Sequence, residues 1–229
     1  MQAHVRNVAA ICVLLLSGAV FSSAGPGAQE AAMVLPLPAT DGEMSVEAAL
    51  AARRSVRAFT GAGMSLDTLA QLCWAAQGVS DELRGFRTAP SAGALYPLDL
   101  YVAAGEVEGL ARGLYRYLPD RHSLAVERSG DLREALAVAA LGQSWIAEAP
   151  VAFIIVGVPE RAERRYGPRA VRYTILEAGH AAQNLSLQAV ALELGTTVVG
   201  AFADRELRRT LELPADHDPL YIIPAGEPR

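Results

Sequence analysis

Ten uncharged residues, Ala-Pro-Val-Ala-Phe-Ile-Ile-Val-Gly-Val at 149–158, constrain the fold more than any other stretch of this chain. An unbroken apolar run of that length predicts a central strand covered on both faces. Helices and strands alternate around it. Ser45 before VEAALAARRS and Ser65 before LDTLAQLCWAAQG are N-cap residues for two helices, and Gly78 ends the second. LDLYVAAG (98–105) reads as a strand, and GLYRYLPD with HSLAVERSG as a hairpin around Pro119-Asp120. DLREALAVAALGQ reads as a helix with Asp131 in its first turn. The longest helical pattern runs from Arg169 to Gly195, with one stripe through Tyr173, Leu176, Gly179/His180, Gln183/Asn184, Leu187 and Val190/Ala191. A strand (TTVVGAF), a short charged helix (DRELRRTLEL) and a last strand (PLYIIPAG) follow. The expected architecture is one α/β domain around a largely buried central helix.

With 229 residues, 52% of them hydrophobic and 20% charged, the chain is long enough and apolar enough for a proper core. Its formal charge is −5 and it has no basic arm, which disfavours nucleic acid as a partner. All 20 basic residues are arginine, so mechanisms that use lysine are closed to it. Residues 1–24 combine an early Arg6, an apolar run from Val8 to Phe21 and a small-residue exit. That pattern describes a secretory signal peptide, with an uncleaved N-terminal anchor as the alternative. Residues 25–44 read as an extended leader, and 45–229 as the folded domain. Once the signal is removed only Cys73 remains, in an apolar pattern that marks it as a core residue.

Three short stretches carry the candidate chemistry. Arg53, Arg54 and Arg57 surround Ser55 at the end of the first helix. Taken alone, they read as cations offsetting a helix C-terminus; the alternative is a phosphate clamp built from forked guanidiniums and a hydroxyl. Pro90-Ser91-Ala92-Gly93-Ala94 is a loop of small residues that a planar ligand can approach closely. Val199-Gly200 ends a strand with backbone N–H groups exposed toward a ligand edge. No Cys, His and carboxylate spacing suggests a metal.

In order, RRSVRAF, LCWAAQGV, RTAPSAGALYPLDLYV, RYTILEAGHAAQNLSLQAVALELGTTVVGAF and YIIPAGEP resemble the nitroreductase-like flavoprotein family, in its SagB-type (azoline dehydrogenase-like) branch. The resemblance implies an α/β (α+β) fold with a mixed or antiparallel central sheet, helices on its flanks and a long buried helix. It further implies a homodimer that binds FMN non-covalently between its subunits, with NAD(P)H as electron donor and a small organic substrate. On these positions it places Arg53, Arg54, Ser55 and Arg57 at the FMN phosphate and ribityl chain. Pro90, Ser91, Ala92 and Gly93 become the loop that reaches the flavin from the partner, and Val199 and Gly200 the turn at flavin N5. No protein acid or base is then required, because the flavin carries the electrons.

The azoline oxidases of that branch are associated with a Lys-Tyr pair, and this chain has no lysine. Arg172-Tyr173 stands at a comparable helix start, but arginine stays protonated and cannot act as a base. Where the family often places a further basic residue on the phosphate, this chain reads Glu227-Pro228-Arg229. The alternatives to a small-molecule oxidoreductase are therefore an azoline dehydrogenase acting on a modified peptide, or an exported flavin-binding protein without turnover. Tyr96 is the one candidate substrate contact. His180 reads as a buried histidine bonded to a carbonyl, and Trp74 and Phe59 as core. Gln183 and Asn184 read either as caps for neighbouring loops or as cofactor neighbours.

Overall fold

The computed structural model describes residues 32–229; the signal segment expected at 1–24 and the first part of the leader lie outside them. Seven strands form one sheet, all of them antiparallel neighbours. They are β1 (Ala32–Val34), β4 (Leu98–Ala104), β5 (Gly113–Leu118), β6 (Ser123–Ser129), β7 (Val151–Gly157), β8 (Gly195–Thr196) and β9 (Asp218–Gly226). Their spatial order is β1-β6-β5-β4-β7-β9-β8. Two short strands, β2 (Val79–Asp81) and β3 (Phe86–Arg87), pair separately.

The apolar run at 149–158 is the sheet's central strand, and every residue of β7 is buried. Successive side chains of a strand point to opposite faces, so the run has to satisfy two cores. Val151, Phe153 and Ile155 face a core closed by α2 (Leu66–Gln77) and α6 (Arg169–Ala191). Ala152, Ile154 and Val156 face a second core, closed by α3 (Arg133–Ala139), α4 (Trp145–Glu148) and α7 (Asp204–Leu211). Helices on both sides explain why an antiparallel strand shows no polar alternation.

Ser45 and Ser65 cap α1 (Val46–Ala52) and α2 as expected, each accepting an N–H three residues on at 3.1 Å. The hairpin turns through Pro119–Arg121, and Cys73 is fully buried. Asp131, expected in the first turn of a helix, instead stands before α3 and accepts the Arg133 N–H at 3.1 Å. The leader also differs from expectation: β1 pairs with β6, and Leu35 is a core residue 3% exposed. Ala39 and Gln71 exchange hydrogen bonds of 2.8 and 3.0 Å, so segment 32–39 is bound to the domain.

The long helix α6 ends at Ala191, and its packed face is offset from the stripe read in the sequence. Ala170, Thr174, Glu177, Ala178, Ala181, Ala182, Leu185, Ser186 and Ala189 are the buried residues. Leu176 is 52% exposed, with Val171 and Ile175 at 48% and 51%. Small side chains let the helix lie close on the sheet, with Leu185 the large one among them, while Val171, Ile175 and Leu176 point away from it.

Candidate functional site

The helix that carries the arginine cluster stops before the cluster begins. Arg53 is the C-cap of α1, with φ −54° and ψ 123°, so Arg53 and Arg57 do not lie one turn apart on a common helix face. The chain is drawn out of the helix by β8: Ser55 bridges Thr196, and the Val56 N–H donates to the Thr196 carbonyl at 2.9 Å. Gly195 permits that approach, since a Cβ there would fall 2.7 Å from the Val56 side chain.

The three guanidiniums are then used differently. Arg54 donates to the Ala51 and Arg53 carbonyls at 2.9 and 2.8 Å, closing the C-terminus of α1. The Arg53 and Arg57 guanidiniums have no hydrogen bond or ion pair among the described residues. Ser55 lies between them with its hydroxyl exposed. Two unpaired forks and a hydroxyl on one extended segment are a ready anion site.

Next to this segment is the Val199–Gly200 turn. The strand expected over TTVVGAF shortens to β8, and beyond it Val199 and Ile222 exchange hydrogen bonds of 2.8 and 2.9 Å. The Gly200 N–H has no acceptor among the described residues, and the Thr197 hydroxyl is buried without a partner. The C-terminal residues run along the far side of the arginine segment. Thr60 donates to the Glu227 carbonyl at 3.0 Å, and the Arg229 guanidinium to the Phe59 carbonyl at 2.9 Å. Arg229 thus ties down the segment that continues from Arg57, and the Glu227 carboxylate accepts the Thr60 hydroxyl at 3.1 Å.

Pro90, Ser91, Ala92 and Gly93 form a second cluster. Their loop is tight: Gly93, Ala94 and Tyr96 all have positive φ, at 64°, 54° and 48°. A Cβ on Gly93 would meet the Tyr166 hydroxyl at 2.7 Å and the Arg165 guanidinium at 2.9 Å, side-chain ends of α5 (Glu160–Tyr166) that would have to move, and its positive φ favours glycine. The Ser91 hydroxyl accepts the Tyr96 N–H at 2.9 Å, and Arg87 lies 4.4 Å over the Tyr96 ring. Asn184 donates to the Thr88 carbonyl at 3.1 Å, which makes it a loop support. His180 is bonded to a carbonyl, Pro90 at 3.4 Å, but it is exposed and not buried. Phe59 is fully buried, and the Trp74 indole N–H is held by the Val79 carbonyl at 3.1 Å.

One group here escaped the sequence reading. Glu177 of α6 is 2% exposed, and neither of its carboxyl oxygens has a hydrogen-bond partner among the described residues. Burial pushes its pKa up to about 7, against downward pulls from the Ser91 hydroxyl and the Arg87 guanidinium. A carboxylate inside EAGHAAQNL, amid residues small enough for a packed face, was the available signal.

The Pro90–Gly93 loop and the arginine segment are anchored at different points along the chain. The loop touches α6 at His180, whereas the arginine segment pairs with β8 beyond Ala191, about 16 Å further along at 1.5 Å per residue. A cavity of about 420 Å³ between segment 39–46, α2 and α6 is lined by Trp74 and Asn184, but by no residue of the arginine segment, the Pro90–Gly93 loop or the Val199–Gly200 turn. Among the described residues, no group of His, Cys, Asp and Glu is placed to hold a metal.

Residues 50–227 match the model of the nitroreductase family. The chain belongs to that family. Its members are generally FMN-dependent oxidoreductases. A protein of Methanocaldococcus jannaschii that bears the name nitroreductase is 44% identical over 194 residues, covering 85% of this chain and 96% of its own. The trifolitoxin operon protein TfxC of Rhizobium leguminosarum bv. trifolii is 28% identical over 189 residues; this chain spans 53% of its length. A nitroreductase-named crystal structure from Ralstonia eutropha JMP134 superposes with a TM-score of 0.77 at 30% identity, covering 89% of this chain and 92% of the other. The E. coli microcin synthetase McbBCD complex contains a chain of the same fold, with a TM-score of 0.68 at 24% identity over 91% of this chain and 84% of that one. The nitroreductase fold expected from the sequence is the fold observed.

Proposed function

We propose that this chain is an FMN-dependent oxidoreductase, acting as a homodimer that moves hydride between the flavin and a small organic substrate, with NAD(P)H as donor. The observation that carries this reading is the pair of guanidiniums, Arg53 and Arg57, that have no partner among the described residues and flank the exposed Ser55 hydroxyl. A phosphate monoester fits such a donor set, because guanidinium forks pair with its oxygens. Membership of the nitroreductase family supports FMN as the molecule that brings the phosphate. When bound, FMN supplies the two-electron chemistry.

The residues of the chain would bind and orient it. Arg53, Arg57 and Ser55 hold the phosphate, while Arg54 remains on the end of α1. The unshared Gly200 N–H offers a fixed donor at the flavin edge, the kind of preorganised dipole that stabilises negative charge. Pro90, Ser91, Ala92 and Gly93 supply the wall from the other subunit. Separation of the two clusters along α6 supports this division, in which a second copy brings one of each around a single ligand. On the same footing, residues 1–24 are proposed to direct export.

The azoline dehydrogenase reading has one observation in its favour, the 28% identity to the trifolitoxin operon protein. Against it, the chain has no lysine, and Arg172 cannot take up a proton. Tyr173 packs edge-on against Tyr166, with ring centroids 5.0 Å apart.

The test is direct. Purified protein should be yellow, or become so on adding FMN, and anaerobic NADH or NADPH should bleach it. Protein that stays colourless after FMN is supplied refutes the proposal. Bound flavin that neither nucleotide reduces would leave a flavin-binding protein without this turnover.

A further inference from the structure

Burying a carboxyl group without a hydrogen bond is costly, so Glu177 needs an account. It lies beneath the Pro90–Gly93 loop, whose Ser91 hydroxyl is close enough to influence it yet short of a formed hydrogen bond. Among the described residues, the charged group that bears on it is Arg87 of β3, and this guanidinium is engaged elsewhere. It donates to the Gln77 side chain of α2 at 3.0 Å and stacks on the Tyr96 ring. On α6 itself, the neighbouring Thr174 hydroxyl is already bound to the Ala170 carbonyl at 2.9 Å. The Ser91 hydroxyl is therefore the natural partner of Glu177.

A serine hydroxyl has two lone pairs and one proton. One lone pair of Ser91 already accepts the Tyr96 N–H. We propose that Glu177 is a positioning residue which decides, by its protonation state, whether the Ser91 hydroxyl donates outward to a ligand or inward to the carboxylate. As a neutral acid, Glu177 donates to the free lone pair of Ser91 and leaves the serine proton free to point outward. As an anion, it draws that proton inward, and a ligand resting on the loop loses a donor. One proton exchanges between the carboxyl and water, and no other bond changes.

The proposal rests on the FMN reading for the identity of the ligand. A carboxyl held near 7 predicts tighter FMN binding below that pH and weaker binding above it. The expected change is about 5- to 10-fold, the value of one hydrogen bond. FMN fluorescence titrations between about pH 5.5 and 8.5 would compare the wild type with Glu177→Gln, Ser91→Ala and the double variant. The FMN phosphate titrates alike in all four, so each curve is read as a ratio to Glu177→Gln.

Glu177→Gln cannot ionise and should bind tightly throughout, leaving the wild type progressively weaker above neutrality. Ser91→Ala should be weak at every pH, with or without Glu177→Gln. A wild-type curve parallel to Glu177→Gln would overturn the switch, as would a pH-dependent ratio that survives Ser91→Ala. If no variant binds FMN, the functional reading fails, and ¹³C-glutamate NMR of the same proteins decides the switch alone. A carboxyl that titrates near neutrality, vanishes in Glu177→Gln and shifts in Ser91→Ala would support it; the absence of that resonance would overturn it.

Discussion

Arg54 and Arg57 stand three positions apart, and their guanidiniums face different tasks. Arg54 is bound to two carbonyls at the end of α1, so Arg54→Ala should lower stability by about 0.5–1 kcal/mol. Its FMN affinity should stay within about 2-fold of the wild type, less than the loss of a single hydrogen bond. A urea unfolding curve beside an FMN titration checks both halves. The cluster itself was legible in the sequence, as were its two readings. Their division among the three side chains was not, because it depends on where α1 stops. That point is set by the Ser55–Thr196 bridge to a strand far along the chain. Glu177 was hidden for a related reason: a helix residue declares itself buried only once the packed face is correctly phased, and the large side chains of α6 indicate the wrong face.

At the level of the element, α6 has two faces of different character. Alanines pack it against the sheet, while Val171, Ile175 and Leu176 remain about half exposed. The stripe through Tyr173, Leu176 and Leu187 follows the ordinary rule that large apolar residues mark the inside, and here that rule selects the outward face. Contiguous exposed apolar side chains on a folded domain mark an association surface. In the proposed dimer they meet the second subunit. Ile175→Glu combined with Leu176→Glu should therefore leave the fold intact, shift sedimentation velocity to a monomer, and weaken FMN binding at least 10-fold. A double variant that stays dimeric would place the interface elsewhere. The other elements were easier to read. Serine caps and the proline turn act locally, and so α1, α2 and the β5–β6 hairpin begin where their sequences say. β1 was missed because its pairing with β6 is wholly non-local and its three residues carry no alternation of their own.

In the whole molecule, the continuous apolar run at 149–158 announces a strand with helices on both faces, and the two cores bear that out. The order of the seven strands was not in the sequence, since it records pairings between distant segments. The candidate site shows the same limit. Its parts are anchored at separate stations along the chain, one beside His180 and one at Thr196. The role proposed for Arg53 and Arg57 is to hold the phosphate of FMN. It is tested most directly by titrating the wild type and Arg53→Ala/Arg57→Ala with FMN and with riboflavin, which lacks the phosphate. The wild type should prefer FMN by at least ~30-fold, equivalent to about 2 kcal/mol from charged hydrogen bonds, and the double variant should bind the two flavins alike. A double variant that keeps the full preference for FMN would contradict the account.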